Sequence, residues 1–134
     1  MPIFAARLDN LHPVQAFIET ALSAAGCPDP VVAQMALASE ELFVNIASYA
    51  YGGAEGDVDV AAGVDQGVAF VSFRDNGVPF NPLEQEDPDL TLGVEEREIG
   101  GLGILMAKHI MDTLEYARDG DANLLVARKR VNGD

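Results

Sequence analysis

The sequence predicts an α+β two-layer sandwich, with a few helices on one face of a mainly antiparallel sheet. The first fifty residues hold two long stretches with apolar residues at helical spacing. Later segments alternate apolar and polar residues and pair up across turn-forming residues, as antiparallel hairpins do. Between the two pairs lie a long stretch without periodicity and a short apolar segment fit for a third helix.

Taken in order, residues 2–7 read as a short edge strand. Pro13 to Ala25 reads as a helix, with Val14, Phe17, Ile18, Ala21 and Leu22 on one stripe and Gly26 to end it. In Pro28-Asp29-Pro30, Asp29 is expected to cap a second helix and Pro30 to open it, running to about Ala50 before Gly52-Gly53. That helix is nearly apolar along much of its length, which implies burial against the sheet. Asp57 to Val64 and Val68 to Arg74 are strands joined by a turn at Asp65-Gln66-Gly67. Residues 81–99 hold two prolines, Pro82 and Pro88, and little periodicity. A loop of that length in a compact domain is usually functional. Ile104 to Met111 is expected to be helical. Thr113 to Arg118 and Leu124 to Arg130 form a closing hairpin around Asp119-Gly120-Asp121.

With 134 residues, 49% of them apolar, the chain suits one domain with one core and argues against disorder. Its net charge of −14 repels nucleic acid and anionic lipid, so neither is expected as a partner. The acidity either favours a basic or neutral protein partner or simply keeps the chain in solution. The single cysteine, Cys27, excludes an internal disulfide and fits a reducing compartment. His12 and His109 stand apart, so no Cys/His ligand cluster is expected. No signal peptide or membrane-length apolar run is visible, and the expectation is a cytoplasmic protein.

Three short stretches can carry chemistry. The run Gly100-Gly101-Leu102-Gly103-Ile104 leads into the third helix. Glycines expose backbone, and the first amides of a helix lack internal partners, so the run is either an anion cradle or only a tight turn. On the second helix, Glu41 and Asn45 are four residues apart and share a stripe with Leu37 and Tyr49. That stripe either faces solvent or serves a site. A carboxylate and an amide oxygen one turn apart suit a hydrated magnesium ion and proton abstraction beside a terminal phosphate. The second strand runs into Asp75-Asn76-Gly77-Val78-Pro79-Phe80. There Asp75 can accept a bond from the exocyclic amine of adenine, Gly77 can let backbone approach the ring, and Phe80 can anchor the loop. A plain Asp-Asn-Gly hairpin turn is the alternative, weakened because no strand follows.

Together and in this order, these stretches resemble the boxes of the GHKL-type ATPases. Glu41-Leu42-Phe43-Val44-Asn45 resembles the N box, Asp75 to Phe80 the first glycine box, and Gly100 to Ile104 the second. The chain length and the run Asn45-Ile46-Ala47-Ser48-Tyr49-Ala50-Tyr51 are similar to one branch, the anti-sigma-factor serine-protein kinases of bacteria, over nearly the whole chain. The resemblance implies a Bergerat-type sandwich with a mixed, mainly antiparallel sheet, spanning residues 1–134 as one domain that binds ATP and Mg2+. It implies that Asn45 binds magnesium and Glu41 is the catalytic base. Asp75, with Gly77 and Phe80, would hold the adenine. Gly101, Leu102, Gly103 and Ile104 would line the phosphates, and residues 81–99 would form the ATP lid. It further implies phosphorylation of a serine on a STAS-domain anti-sigma antagonist and sequestration of a sigma factor or similar regulator. Homodimers are usual in this branch.

Lys108, one turn into the third helix, either reaches toward phosphate or is a solvated lysine. The lid sequence carries Glu84, Glu86, Asp87, Asp89, Glu95, Glu96 and Glu98 against one base, Arg97. That acidity motivates a second expectation: a catalytically weak or inactive nucleotide-binding module that regulates by sequestering its partner. The ATPase half of a sensor histidine kinase fits less well, because no histidine-bearing dimerisation helix precedes the boxes.

Overall fold

The computed structural model describes residues 3–51, 55–84 and 101–131, with only the backbone of residues 84 and 101–103. Its elements run β1 (Ile3–Ala5), α1 (Leu11–Ala24), α2 (Asp29–Tyr49), β2 (Asp57–Asp65), β3 (Val68–Asp75), α3 (Gly101–Ile110), β4 (Thr113–Asp119) and β5 (Ala122–Arg130). The sheet has five strands in the order β1-β2-β3-β5-β4, and every described pairing is antiparallel. α1 packs on α2 and on β2, while α2 packs on α3, β3 and β5. The expected two-layer sandwich is therefore present, without a parallel pair among the described strands.

Strand alternation builds the core. Val58 and Val60 of β2, Ala69, Val71 and Phe73 of β3, and Leu125 and Ala127 of β5 turn toward the helices and are buried. They meet Val14, Ile18 and Leu22 of α1, Met35, Leu42 and Phe43 of α2, and Ile104 and Ala107 of α3. The other phase of β3 and β5, including Phe70, Ser72, Leu124 and Val126, forms the opposite, half-covered face. No helix among the described residues is long and apolar enough to cross a membrane.

The helix boundaries depart from the sequence reading in ways that have physical causes. α1 starts at Leu11, two residues ahead of Pro13; a proline in the first turn gives up an N–H that had no helical acceptor. It ends as expected at Gly26, whose φ is +85. There Gly26 N–H donates to the Ser23 carbonyl at 3.1 Å and Cys27 N–H to the Leu22 carbonyl at 3.0 Å. Asp29 is not the cap of α2 but its first residue. Pro28 occupies the cap, its carbonyl accepts from the N–H groups of Val31 and Val32 at 3.0 Å, and no side chain caps the end. Asp29 in the first turn still places a negative charge where the helix dipole favours one.

α3 begins at Gly101 instead of Ile104, so Gly101 and Gly103 form its first turn, and it ends at Ile110. The β2–β3 turn is Gln66-Gly67, both with positive φ (50 and 78), matching the right-handed twist of the strands. β5 starts two residues earlier than expected, at Ala122, which brings Asn123 into the strand.

Candidate functional site

α2 supplies the first part of the site. Ten of its residues are buried, and among them Asn45 is 1% exposed. Its Nδ2 donates to the Glu41 carbonyl one turn back at 2.8 Å. Its Oδ1 is buried and has no hydrogen-bond partner among the described residues. Glu41 itself is half-buried, so the stripe is neither wholly core nor wholly solvent-facing. Burial pushes the Glu41 carboxyl up from its ordinary 4.5, and the neighbouring charge of Glu40 pushes the same way.

The end of β3 supplies the second part. Asp75 is 4% exposed, and its Oδ1 accepts from Gly77 N–H at 2.9 Å and from Asn123 Nδ2 at 3.0 Å. The loop that follows is bound to the C-terminal end of α2. Val78 N–H donates to the Ala50 carbonyl at 2.8 Å, and the Phe80 ring lies 5.5 Å from that of Tyr49. Asn76 N–H donates at 3.0 Å to the Tyr51 hydroxyl, which in turn donates to the Asp57 carbonyl on β2. Gly77 sits so close to α2 that a Cβ there would lie 2.1 Å from the Ala50 oxygen and 2.6 Å from its carbonyl carbon. Backbone approach is thus the reason for this glycine, but the backbone that approaches is that of α2. Phe80 anchors the loop as expected, through a ring contact and not through full burial.

The third part is described less fully. The backbone of Gly101, Leu102 and Gly103 is the first turn of α3, and α3 packs on α2. The Ile104 side chain is core, 2% exposed, so any ligand contact there falls to its backbone. Lys108 lines a cavity of about 270 Å3 with Leu83, Met111, Asp112, Thr113 and Leu114, beside the C-terminal end of α3. Gly100, Arg97 and residues 85–99 of the expected lid lie outside the described residues. Larger cavities among the described residues include one of about 540 Å3 on the outer sheet face around Phe70 and Val126, and one of about 910 Å3 beside β1.

The sequence reading missed the hairpin that grips the 75–80 loop. From β4, Arg118 Nη1 donates to the Gly77 carbonyl at 3.0 Å. From β5, Asn123 Nδ2 donates to the Val78 carbonyl at 2.8 Å, while its Oδ1 accepts from Tyr116. The available signal was alternation: counted back from Ala127 and Leu125, Asn123 falls on the inward phase, where an amide must be bonded.

The sequence matches the family described as histidine kinase-like ATPase domain over residues 4–129. Among solved structures, the histidine kinase domain of the Erythrobacter litoralis EL346 blue-light activated histidine kinase is similar, with a TM-score of 0.55 and 16% identity. That match covers 75% of this chain and 45% of the Erythrobacter chain. The Acinetobacter baumannii histidine kinase AdeS is similar with a TM-score of 0.53 and 13% identity, covering 98% of this chain and 68% of AdeS. At these identities the likeness is one of fold. No curated protein matches the chain.

Proposed function

The chain belongs to the histidine kinase-like ATPase domain family, and from that premise we propose that it binds ATP with Mg2+ as a single domain, with residues 81–99 as its lid. We propose further that it is a cytoplasmic protein serine kinase whose substrate is a STAS-domain anti-sigma antagonist, and that it sequesters a sigma factor or similar regulator. The observation that carries the ATP reading is Asn45 Oδ1, a buried acceptor with no described donor, one turn from a half-buried carboxylate on the helix whose end holds the Asp75 loop. An unpartnered amide oxygen suits a hard cation that takes oxygen ligands and keeps several waters. Bound there, magnesium would neutralise phosphate charge.

In this reading Asp75 accepts the adenine amine through Oδ2, which has no hydrogen bond among the described residues. The amides of the α3 first turn face phosphate oxygens. Glu41 takes the proton of the substrate serine hydroxyl. That oxygen bonds to the γ-phosphorus as the bond from the γ-phosphorus to the bridging oxygen breaks, and ADP leaves with the electron pair. The upward push on the Glu41 carboxyl makes it a stronger base once ionised. The serine specificity and the partners rest on the likeness of the Glu41–Tyr51 run to anti-sigma kinases.

The test is transfer of labelled γ-phosphate from ATP to a STAS-domain antagonist. Glu41→Gln is expected to lower transfer by roughly 100-fold or more while retaining ATP binding. Transfer at the native rate in that variant removes Glu41 from the mechanism. A second reading, sequestration without catalysis, is favoured by the seven acidic residues against one base in the lid sequence. Multiple turnovers of phosphate onto the antagonist overturn it.

A further inference from the structure

Asn123 is 3% exposed on the inward phase of β5, and its amide is fully engaged. Nδ2 donates to Asp75 Oδ1 at 3.0 Å and to the Val78 carbonyl at 2.8 Å. Oδ1 accepts from the Tyr116 hydroxyl, from Arg118 Nη1 at 3.2 Å and from Phe80 N–H at 3.4 Å. Donors crowd one end of the amide and acceptors the other, so its two ends cannot be exchanged. An amide locked in this way fixes whatever carboxylate it touches. Asp75 Oδ1 takes bonds from Asn123 and Gly77. Turning the carboxylate would break both.

We propose that Asn123 is the positioning residue that gives the base pocket its preference: by holding Asp75 Oδ1 it leaves Oδ2 as a bare acceptor, so the pocket selects a purine with an amine over one with a carbonyl at the same place. Adenine and hypoxanthine differ at that group and at the adjacent N1, a bare acceptor in adenine that carries a proton in hypoxanthine. An oxygen in place of the amine sets acceptor against acceptor, the kind of mismatch a hydrogen-bonding site rejects most strongly. Asn123 acts through Asp75 and touches no nucleotide. Tyr116 and Arg118 act one step further back by orienting Asn123. This inference rests on the ATP reading above.

The experiment compares the affinities of ATP and ITP for the native protein, Asn123→Asp, Asn123→Ser and Asp75→Asn. Aspartate keeps the size of asparagine but turns an oxygen toward Asp75 Oδ1 and the Val78 carbonyl, both acceptors. Serine is too short to span the gap. The native protein is expected to prefer ATP by roughly tenfold or more, and each Asn123 variant to bring that ratio to within about threefold of unity. Both nucleotides meet the same folded population, so a merely structural role would lower both affinities and leave the ratio alone. Thermal melting identifies which variants fold. A native ratio in any folded Asn123 variant overturns the inference. Loss of the ratio in Asp75→Asn with no change in Asn123→Ser overturns this inference alone. A native protein that binds neither nucleotide, or an Asp75→Asn that keeps affinity and ratio, overturns the ATP reading as well.

Discussion

A buried acceptor without a donor costs about 1–3 kcal/mol, and Asn45 Oδ1, which has no donor among the described residues, carries that cost in the nucleotide-free protein. Asn45→Ala removes the unpartnered oxygen at the expense of a small cavity. The nucleotide-free melting temperature is therefore expected to hold or rise, while magnesium-dependent ATP binding is lost. Calorimetry and ATP titration on one preparation check both halves, and a large loss of stability would mean that the oxygen has a structural partner. Glu41 gives a pH signature of two opposite signs. Its carboxyl is raised in the folded protein, so the protonated form is favoured there, and its contribution to stability fades as pH climbs from about 4.5 through the raised value. The proposed phosphoryl transfer should run the other way, rising as the carboxylate forms. The rate profile should have an acidic limb above the ordinary glutamate range, absent from any residual rate of Glu41→Gln; a limb that survives in that variant belongs to another group. Asp75 and Asn45 were legible because each sits in a run whose polar residues break an apolar pattern. Asn123 was not, because it follows directly on a turn and its role depends on a partner 48 residues away.

Among elements, the joint between α2 and the 75–80 loop matters most. Its contacts all lie at the helix end: the Ala50 carbonyl, the Tyr49 ring and the Tyr51 hydroxyl. A helix end has carbonyls to spare, and this one spends Ala50's on the loop that holds Asp75. Gly77→Ala forces a Cβ to 2.1 Å from that oxygen, and neither backbone can yield without breaking the Val78 bond. The expected cost is about 1–3 kcal/mol, a fall of several degrees in melting temperature, present without any nucleotide. An unchanged melting temperature with weakened ATP binding would return Gly77 to the role of making room for a base. The strands and the two hairpins were legible from alternation and turn residues. The start of α3 was hidden because Gly101 and Gly103 have poor helix propensity, and packing of the following apolar residues on α2 overrides it. The start of α2 slipped by one residue because Asp29 suits both the cap and the first turn.

On the scale of the whole molecule, charge opposes the proposed ligand. A net charge of −14 repels a nucleotide triphosphate and strains the compact state by self-repulsion. Both effects are screened by salt, since the Debye length falls from about 30 Å at 0.01 M to about 8 Å at 0.15 M. Melting temperature in the absence of nucleotide is therefore expected to rise with sodium chloride over that range. ATP without a divalent cation should bind weakly and bind better as salt is added, because screening relieves repulsion between two anions. With magnesium present, the repulsion is largely neutralised at its source and the salt dependence should flatten. Ligand at about 100 times its Kd stabilises the fold by about 2.7 kcal/mol, so Mg-ATP should raise the melting temperature by several degrees. Chelation of magnesium should abolish most of that rise in the native protein. In Asn45→Ala the rise should be small with or without chelator, because the side chain proposed to hold the metal is gone. A melting curve that responds to ATP equally with magnesium and with chelator would show that the nucleotide binds without the ion, and would leave the bare oxygen of Asn45 with no part in its recognition.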